Sequence, residues 1–130
     1  MKILSPFGPK IAIIKIPKKK IYIINKEVDK ILSNKKRLKI SDYSSKLVGQ
    51  VHQEIKLSSK FIKKNLLNFI SENVKKYIKK SIKKDVKKLK LLNLWVVRQF
   101  KNEYNPIHFH SGNISGVGYL KIRKNITRKT

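Results

Sequence analysis

Apolar residues recur at helical spacing over two stretches of the chain, which predicts two amphipathic helices. The first covers Lys18 to about Asn34 and begins directly after Pro17, a residue that the first turn of a helix tolerates. The second begins at Ser58 or Ser59, either of which can cap it, and repeats an apolar residue every four positions as far as Ile82. Its opposite face carries Lys63, Lys64, Lys75, Lys76, Lys79, Lys80, Lys83 and Lys84. A basic helix can lie on a membrane or on nucleic acid, but we favour a core-facing helix with a solvated lysine face.

Shorter apolar segments predict strands, and the polar stretch Lys35–Ser45 between two of them predicts a connection. The predicted strands are Ile11–Ile16, Leu47–Leu57 with a bend at Gly49, Leu89–Phe100 ahead of a turn at Asn102–Pro106, and Gly116–Ile122. Strands alternate with helices in the first part of the chain, and only strands follow the second helix. This order predicts an α+β fold. Because an open sheet exposes edges that proteins normally cover, we expect the domain to be incomplete.

Length and composition favour one folded domain: the chain has 130 residues, of which 40% are hydrophobic. It has no cysteine, which excludes disulfides and thiolate metal sites. Pro6, Gly8 and Pro9 interrupt any apolar region of a signal peptide, and no apolar run reaches the roughly 18 residues of a membrane span. We therefore expect a cytoplasmic protein.

The chain is strongly basic, with 33 Lys and Arg against 7 Asp and Glu and a net charge of +26. Such an excess attracts nucleic acid or anionic lipid. Nearly all of it is lysine, however, whereas bidentate contacts to phosphates and bases favour arginine. Abundant Lys, Ile and Asn are also typical of an AT-rich genome. Nucleic acid is therefore a possible partner but not the favoured one.

His108 and His110 are the strongest candidates for chemistry. In an extended segment, residues two apart point to the same side, so both imidazoles can chelate one metal ion. Imidazole suits iron, copper and zinc. A pair of surface or hydrogen-bonded histidines in a turn is the alternative interpretation.

The residues around this pair resemble a known family. Tyr104, Asn105, His108 and His110, followed by Ser115-Gly116-Val117 and by Tyr119-Leu120, are similar to the first metal-ligand strand of the 2-oxoglutarate/Fe(II)-dependent oxygenase superfamily, specifically its bacterial and phage group. The resemblance implies N-terminal strand and helix units (residues 1–87) that lead into the first strands (88–122) of an incomplete double-stranded β-helix, or jelly roll, and a frayed tail (123–130). It implies a hydroxylase with Fe(II) and 2-oxoglutarate as cofactors and an unknown substrate.

The resemblance also implies roles for individual residues. His108 matches the first iron ligand, and His110 stands where most relatives have Asp. Either the site is a three-histidine variant, or another residue supplies the carboxylate. Tyr119 matches a position that binds the 2-oxoglutarate carboxylate, unless it only fills the barrel. No later residue matches the distal histidine or the 2-oxoglutarate-binding arginine, so we expect a truncated chain that is inactive alone.

Two alternatives stay open. His52 and Glu54 form a second His-x-acid pair on a predicted strand and could bind a metal ion. The other interpretation is that both are polar residues that face solvent. The chain is alternatively a small basic nucleic-acid-binding protein in which His108 and His110 are incidental. The remaining acidic residues show no paired spacing for acid/base catalysis.

Overall fold

A computed structural model of the chain describes residues 1–46 and 50–122 and shows an α+β fold. Two antiparallel strand pairs, β1 with β2 and β3 with β4, are combined with four helices in these residues. A single turn of 3₁₀ helix, Ser44–Lys46, precedes β3. The elements are β1 Lys2–Leu4, β2 Ile11–Ile13, α1 Lys18–Leu32, α2 Lys35–Ser41, β3 Gln53–Lys56, α3 Ser59–Asn65, α4 Leu67–Ile82 and β4 Trp95–Arg98.

The hydrophobic core lies between the helices and one face of the β3–β4 pair. Helix α1 contributes its apolar stripe, and Ile55 at the centre of β3 is fully buried. Ile55 pairs with Val96 of β4, which packs against the same cluster. The buried members are Ile24, Val28, Ile31, Ile55, Leu57 and Leu66. Helical spacing in α1 therefore places its apolar residues where the sheet can cover them.

The first predicted helix is confirmed, and the second is divided. Ser58 caps α3 by accepting a hydrogen bond from the backbone N–H of Phe61 at 3.2 Å. Leu66 then leaves the helical conformation, with φ −124° and ψ −34°, and α4 begins at the next residue. Leu66 is buried in the core, so the residue at the break between the two helices is itself a core residue.

The prediction that Lys35–Ser45 is only a connection is wrong, because α2 occupies most of it. Asn34 caps α2 by accepting a hydrogen bond from the Arg37 backbone N–H at 3.0 Å. Leu38 packs against the core cluster, which gives this polar helix its one apolar anchor. Only one side chain in these seven residues packs on the core, so the segment has almost no helical periodicity. The cap stabilises the helix, but the polar sequence pattern does not predict it.

The strands are shorter than predicted. β2 covers Ile11–Ile13 and pairs with β1, a strand that the hydrophobic pattern does not predict. β3 and β4 lie near the C-terminal ends of their predicted segments. The predicted bend at Gly49 lies outside the described residues.

The prediction of a strand at Gly116–Ile122 is wrong: this segment has no strand conformation. It runs past Ile16 so closely that a Cβ on Gly118 would lie 2.9 Å from the Ile16 Cδ1. Most of its apolar side chains are exposed, Val117 and Ile122 among them. A strand needs a hydrogen-bonded neighbour, and among the described residues none pairs with this segment. The residues 88–122 therefore contain one strand, β4.

Helix α4 presents its lysine face to solvent, as favoured from the sequence. Lys75, Lys76, Lys79 and Lys80 are exposed, whereas Ile78 between them is buried. The β1–β2 hairpin docks near the end of α4, where the Tyr77 hydroxyl donates a hydrogen bond of 2.6 Å to the Lys10 carbonyl. In the part of the chain that the structure describes, no helix combines the length and apolar character needed to cross a bilayer.

Candidate metal centre

His108 and His110 lie together in the exposed segment that follows β4. Their Nε2 atoms are 3.1 Å apart, and their rings meet edge to face with centroids 4.7 Å apart. Two nitrogen ligands at about 2.1 Å from one metal ion, in neighbouring positions, are about 3.0 Å apart. The observed separation therefore matches the spacing that a chelated metal ion requires.

The tautomer of His108 also suits a ligand. Its Nδ1 lies 2.6 Å from the carbonyl oxygen of Pro106, and because a carbonyl only accepts, Nδ1 carries the proton. Neutral His108 therefore keeps the lone pair on Nε2, the atom that faces His110. Metal-binding histidines commonly donate their other ring N–H to a carbonyl or carboxylate in this way. Without a metal ion, His110 can donate its own Nε2–H to His108.

The outer face of the β3–β4 pair forms the floor beneath the histidines. The His110 ring lies 6.0 Å from the Trp95 ring, measured between centroids. Trp95 pairs with Lys56 across the strands, on the face opposite Ile55 and the core. A shallow cleft of about 140 Å³ opens here, lined by Tyr43, Lys56, Asn93, Leu94, Trp95, Phe109, His110 and Ser111.

Glu54 lies on this same outer face and is nearly inaccessible, with 2% of its surface exposed. Burial raises the pKa of Glu54 above its ordinary value. This effect exceeds the lowering of the pKa by Trp95 and by the positive charge that His108 has when protonated. The charge of Asp42 raises the pKa further. One oxygen, Oε2, is buried without a hydrogen-bond partner. A carboxylate with spare bonding capacity therefore lies within electrostatic reach of His108.

No three His, Asp or Glu side chains stand together as a ready-made metal site within residues 1–46 and 50–122. The two imidazoles fit a transition metal by spacing, donor type and tautomer, but they provide only two ligands. Any further protein ligand has to approach the pair from elsewhere in the chain.

The alternative pair, His52 and Glu54, does not form a chelate. The His52 side chain is 86% exposed and its Nδ1 pairs with the Glu103 carboxylate, whereas Glu54 is buried beside Trp95. The expectation of solvent-facing polar positions holds for His52 and is wrong for Glu54. His52 precedes β3, which begins at the next residue. The alternation of side chains along the strand therefore does not determine the direction of the His52 side chain.

Glu103 holds the loop after β4. Its carboxylate accepts hydrogen bonds from the backbone N–H groups of Phe100 at 2.8 Å and His52 at 3.2 Å. The Phe100 N–H is the largest cause that lowers the pKa of Glu103 below its ordinary value, with smaller lowering by His52. This carboxylate therefore anchors the loop after β4 to the residue that precedes β3.

Tyr119 lies apart from the histidines in this structure. It is 71% exposed, and no hydrogen bond or ring contact of the described residues connects it to His108 or His110. The structure thus brings two of the three predicted site residues together. It also adds Glu54, which alternation alone had assigned to solvent. The available signal was Trp95 and Val97, whose apolar side chains on the outer face of β4 indicate that this face is covered.

Comparison of the chain with protein-family models, with curated proteins and with solved structures found no match.

Proposed function

We propose that the chain is the metal-binding part of a 2-oxoglutarate- and Fe(II)-dependent oxygenase of the hydroxylase type. The observation that carries the proposal is the His108–His110 pair, with Nε2 atoms 3.1 Å apart and His108 in the ligand tautomer. The resemblance of the surrounding residues to the oxygenase superfamily supports it, because a fortuitous histidine pair does not require that surrounding sequence.

In this proposal, His108 and His110 hold the metal ion by Nε2. With iron and 2-oxoglutarate bound, the oxidant would be O2, which would take two electrons from 2-oxoglutarate as it loses CO2 and two from a C–H bond of the substrate, leaving one oxygen atom in succinate and one in the new hydroxyl group. The carbonyl of Pro106 fixes the His108 tautomer, and the Trp95 ring supports His110 from below. Tyr119 is proposed to bind the 2-oxoglutarate carboxylate through its hydroxyl, which requires its exposed segment to move towards the histidines.

The finer fold is part of the same proposal. The β3–β4 pair corresponds to early strands of a jelly roll, and α1 and α3 to N-terminal helices packed on its sheet. The exposed apolar side chains of Ile107, Phe109 and Val117 support this proposal, because further strands would cover them. No histidine follows His110 in the sequence, so the chain by itself is proposed to bind iron weakly and to lack turnover.

An anaerobic Fe(II) titration with and without 2-oxoglutarate tests the proposal, followed by the weak visible charge-transfer absorption of the ternary complex. We expect the band in the unaltered chain and its loss in the His108→Ala, His110→Ala double variant. Equal Fe(II) affinity of the two proteins, measured by competition with a coloured chelator, would contradict the proposed site.

The second candidate is a basic nucleic-acid-binding protein, favoured by the exposed lysine face of α4. Replacing Lys75, Lys76, Lys79 and Lys80 by Gln removes four positive charges from this face. If nucleic acid is the physiological partner, the variant binds RNA or DNA more weakly at physiological salt, and the salt dependence of its affinity becomes shallower. Unchanged affinity would exclude this face as the binding surface.

A further inference from the structure

The shallow cleft over the β3–β4 pair is lined by aromatic rings. Trp95 lines it and is half-buried, whereas the Phe109 side chain lines it with 95% of its surface exposed. The cleft volume of about 140 Å³ is well below the roughly 300–1,000 Å³ of pockets that enclose a whole small molecule. The cleft can therefore hold one flat ring against its aromatic side chains, while the rest of the ligand stays outside.

The surroundings of this cleft are positively charged, and none of the residues that line it is acidic. Lys56 is the cross-strand neighbour of Trp95, and its ammonium nitrogen lies 4.9 Å from the centre of the Tyr43 ring. The segment between α4 and the cleft adds three exposed lysines that take part in no ion pair among the described residues, Lys87, Lys88 and Lys90. A ligand that carries flat rings on a chain of negative charges matches both features.

We propose that this cleft binds single-stranded nucleic acid, with one base stacked on its aromatic side chains, above all Phe109, and a neighbouring phosphate at Lys56. The inference rests on the second candidate function, whose ligand it specifies, and it involves no metal ion. Every base has a flat π-face, so stacking on aromatic side chains tolerates any sequence. In this candidate function a base covers Phe109, in place of a further protein strand.

The residue types at the surface favour a single strand over a duplex. Bases within a duplex are already stacked, and their edges are read best by the bidentate contacts of arginine. Arginine is scarce in this chain, and Arg98 of β4 already donates a hydrogen bond to Gln53. Lysine, a compact point charge, attracts phosphates without reading the bases. An acidic polypeptide would be attracted by the same lysines but would leave the aromatic rings without a stacking partner.

The experiment measures binding of a fluorescently labelled oligothymidylate of about 12 nucleotides, a strand that does not pair with itself, to the full chain in metal-free buffer. Anisotropy of the label gives the affinity. Quenching of Trp95 fluorescence reports contact with the cleft, because Trp95 is the only tryptophan.

Two variants alter the cleft, and each has a matched control. Phe109→Leu removes the ring while keeping an apolar side chain, and Lys56→Gln removes the charge. Phe7→Leu and Lys35→Gln make the same changes at exposed residues that do not line the cleft. Circular dichroism of each variant establishes that it is folded.

We expect the unaltered chain to bind the strand with quenching of Trp95. Phe109→Leu should weaken binding by roughly tenfold, the effect of losing one stack between a base and an aromatic ring. Lys56→Gln should weaken binding and reduce the slope of log affinity against log salt by about 0.7, the value for one phosphate contact on a single strand. Both controls should bind nearly as the unaltered chain does.

Other results separate the inference from the functions proposed above. If Phe109→Leu binds as tightly as Phe7→Leu while replacement of the four α4 lysines weakens binding, the second candidate function stands and the cleft inference is overturned. If the unaltered chain binds no nucleic acid, both fall. Equal affinity for a duplex of the same length, or equal quenching of Trp95 by poly-glutamate, would show that charge alone acts and would overturn the stacking. The oxygenase proposal is tested independently by the Fe(II) titration.

Discussion

Glu54 and Ile55 are consecutive residues of β3, and both are buried, at 2% and 0% exposed, on opposite faces of the same two-stranded sheet. Ile55 faces the helices, where burial of its side chain stabilises the fold. Glu54 faces the segment that carries the histidines, where burial of its charge is costly. One dipeptide thus connects the core of the protein to its candidate metal centre.

The core face of β3 is expected to be sensitive to the loss of one methyl group. Ile55→Val should lower the free energy of unfolding by about 1 kcal/mol, because the site is closed on all sides and a small cavity results. Urea denaturation followed by circular dichroism measures the change. Ile40→Val is the control, since Ile40 is 77% exposed and its change should be near zero. Equal effects of the two substitutions would contradict the assigned core.

On the outer face, Glu54→Gln should stabilise the protein at pH 7. It removes a buried negative charge while keeping an oxygen that accepts from Trp95, and we expect a gain of about 1 kcal/mol in the free energy of unfolding. Urea denaturation in metal-free buffer measures it. Glu103→Gln should have the opposite sign, because its carboxylate accepts two backbone hydrogen bonds. A loss of stability in Glu54→Gln would mean that the charge is already well paired.

Acid should weaken the loop that Glu103 holds. The Phe100 backbone N–H lowers the pKa of Glu103 from its ordinary value of 4.5, so the folded state favours the ionised form. Its stabilising contribution is fully present above pH 4.5 and is lost as the pH falls through the lowered folded value.

The measurement for Glu103 is the thermal midpoint from pH 7 down to pH 3, compared between the unaltered chain and two variants. Glu103→Gln should show a shallower fall of the midpoint with acid than the unaltered chain. Glu72→Gln, an exposed carboxylate on α4, should follow the unaltered chain. Parallel curves for all three proteins would exclude Glu103 as a source of the acid sensitivity.

The N-terminus of α3 distinguishes two neighbouring serines. Ser58 accepts a hydrogen bond from the Phe61 N–H, whereas Ser59 is the first residue of the helix. Ser58→Ala should lower the free energy of unfolding by about 1 kcal/mol, and Ser59→Ala by much less. Chemical denaturation of both variants checks the difference, and a larger loss in Ser59→Ala would show that the helix starts one residue later.

Local signals predicted the elements that carry strong periodicity. The apolar stripe of α1 and the serine cap of α3 are read from neighbouring residues, because helical hydrogen bonds and caps are local. The limits of the strands could not be predicted from neighbouring residues, because a strand depends on a pairing partner elsewhere in the chain. β1 has three residues and is a strand only because β2 pairs with it, and Gly116–Ile122 has a strand-like composition without a partner among the described residues.

For the candidate site, the sequence alone determined the His108–His110 pair, since two residues on one side of an extended segment need no distant contact. Only the tertiary structure decided that Glu54 is buried, on the outer face of the β3–β4 pair that also carries Trp95. Alternation along β3 separates Glu54 from the core but does not show what covers the other face. That depends on the β3–β4 pairing and on the later segment that crosses it, more than fifty residues away in the chain. Helices and chelating pairs are local, whereas the environment of a buried charge is set by chain segments that meet only in the folded protein.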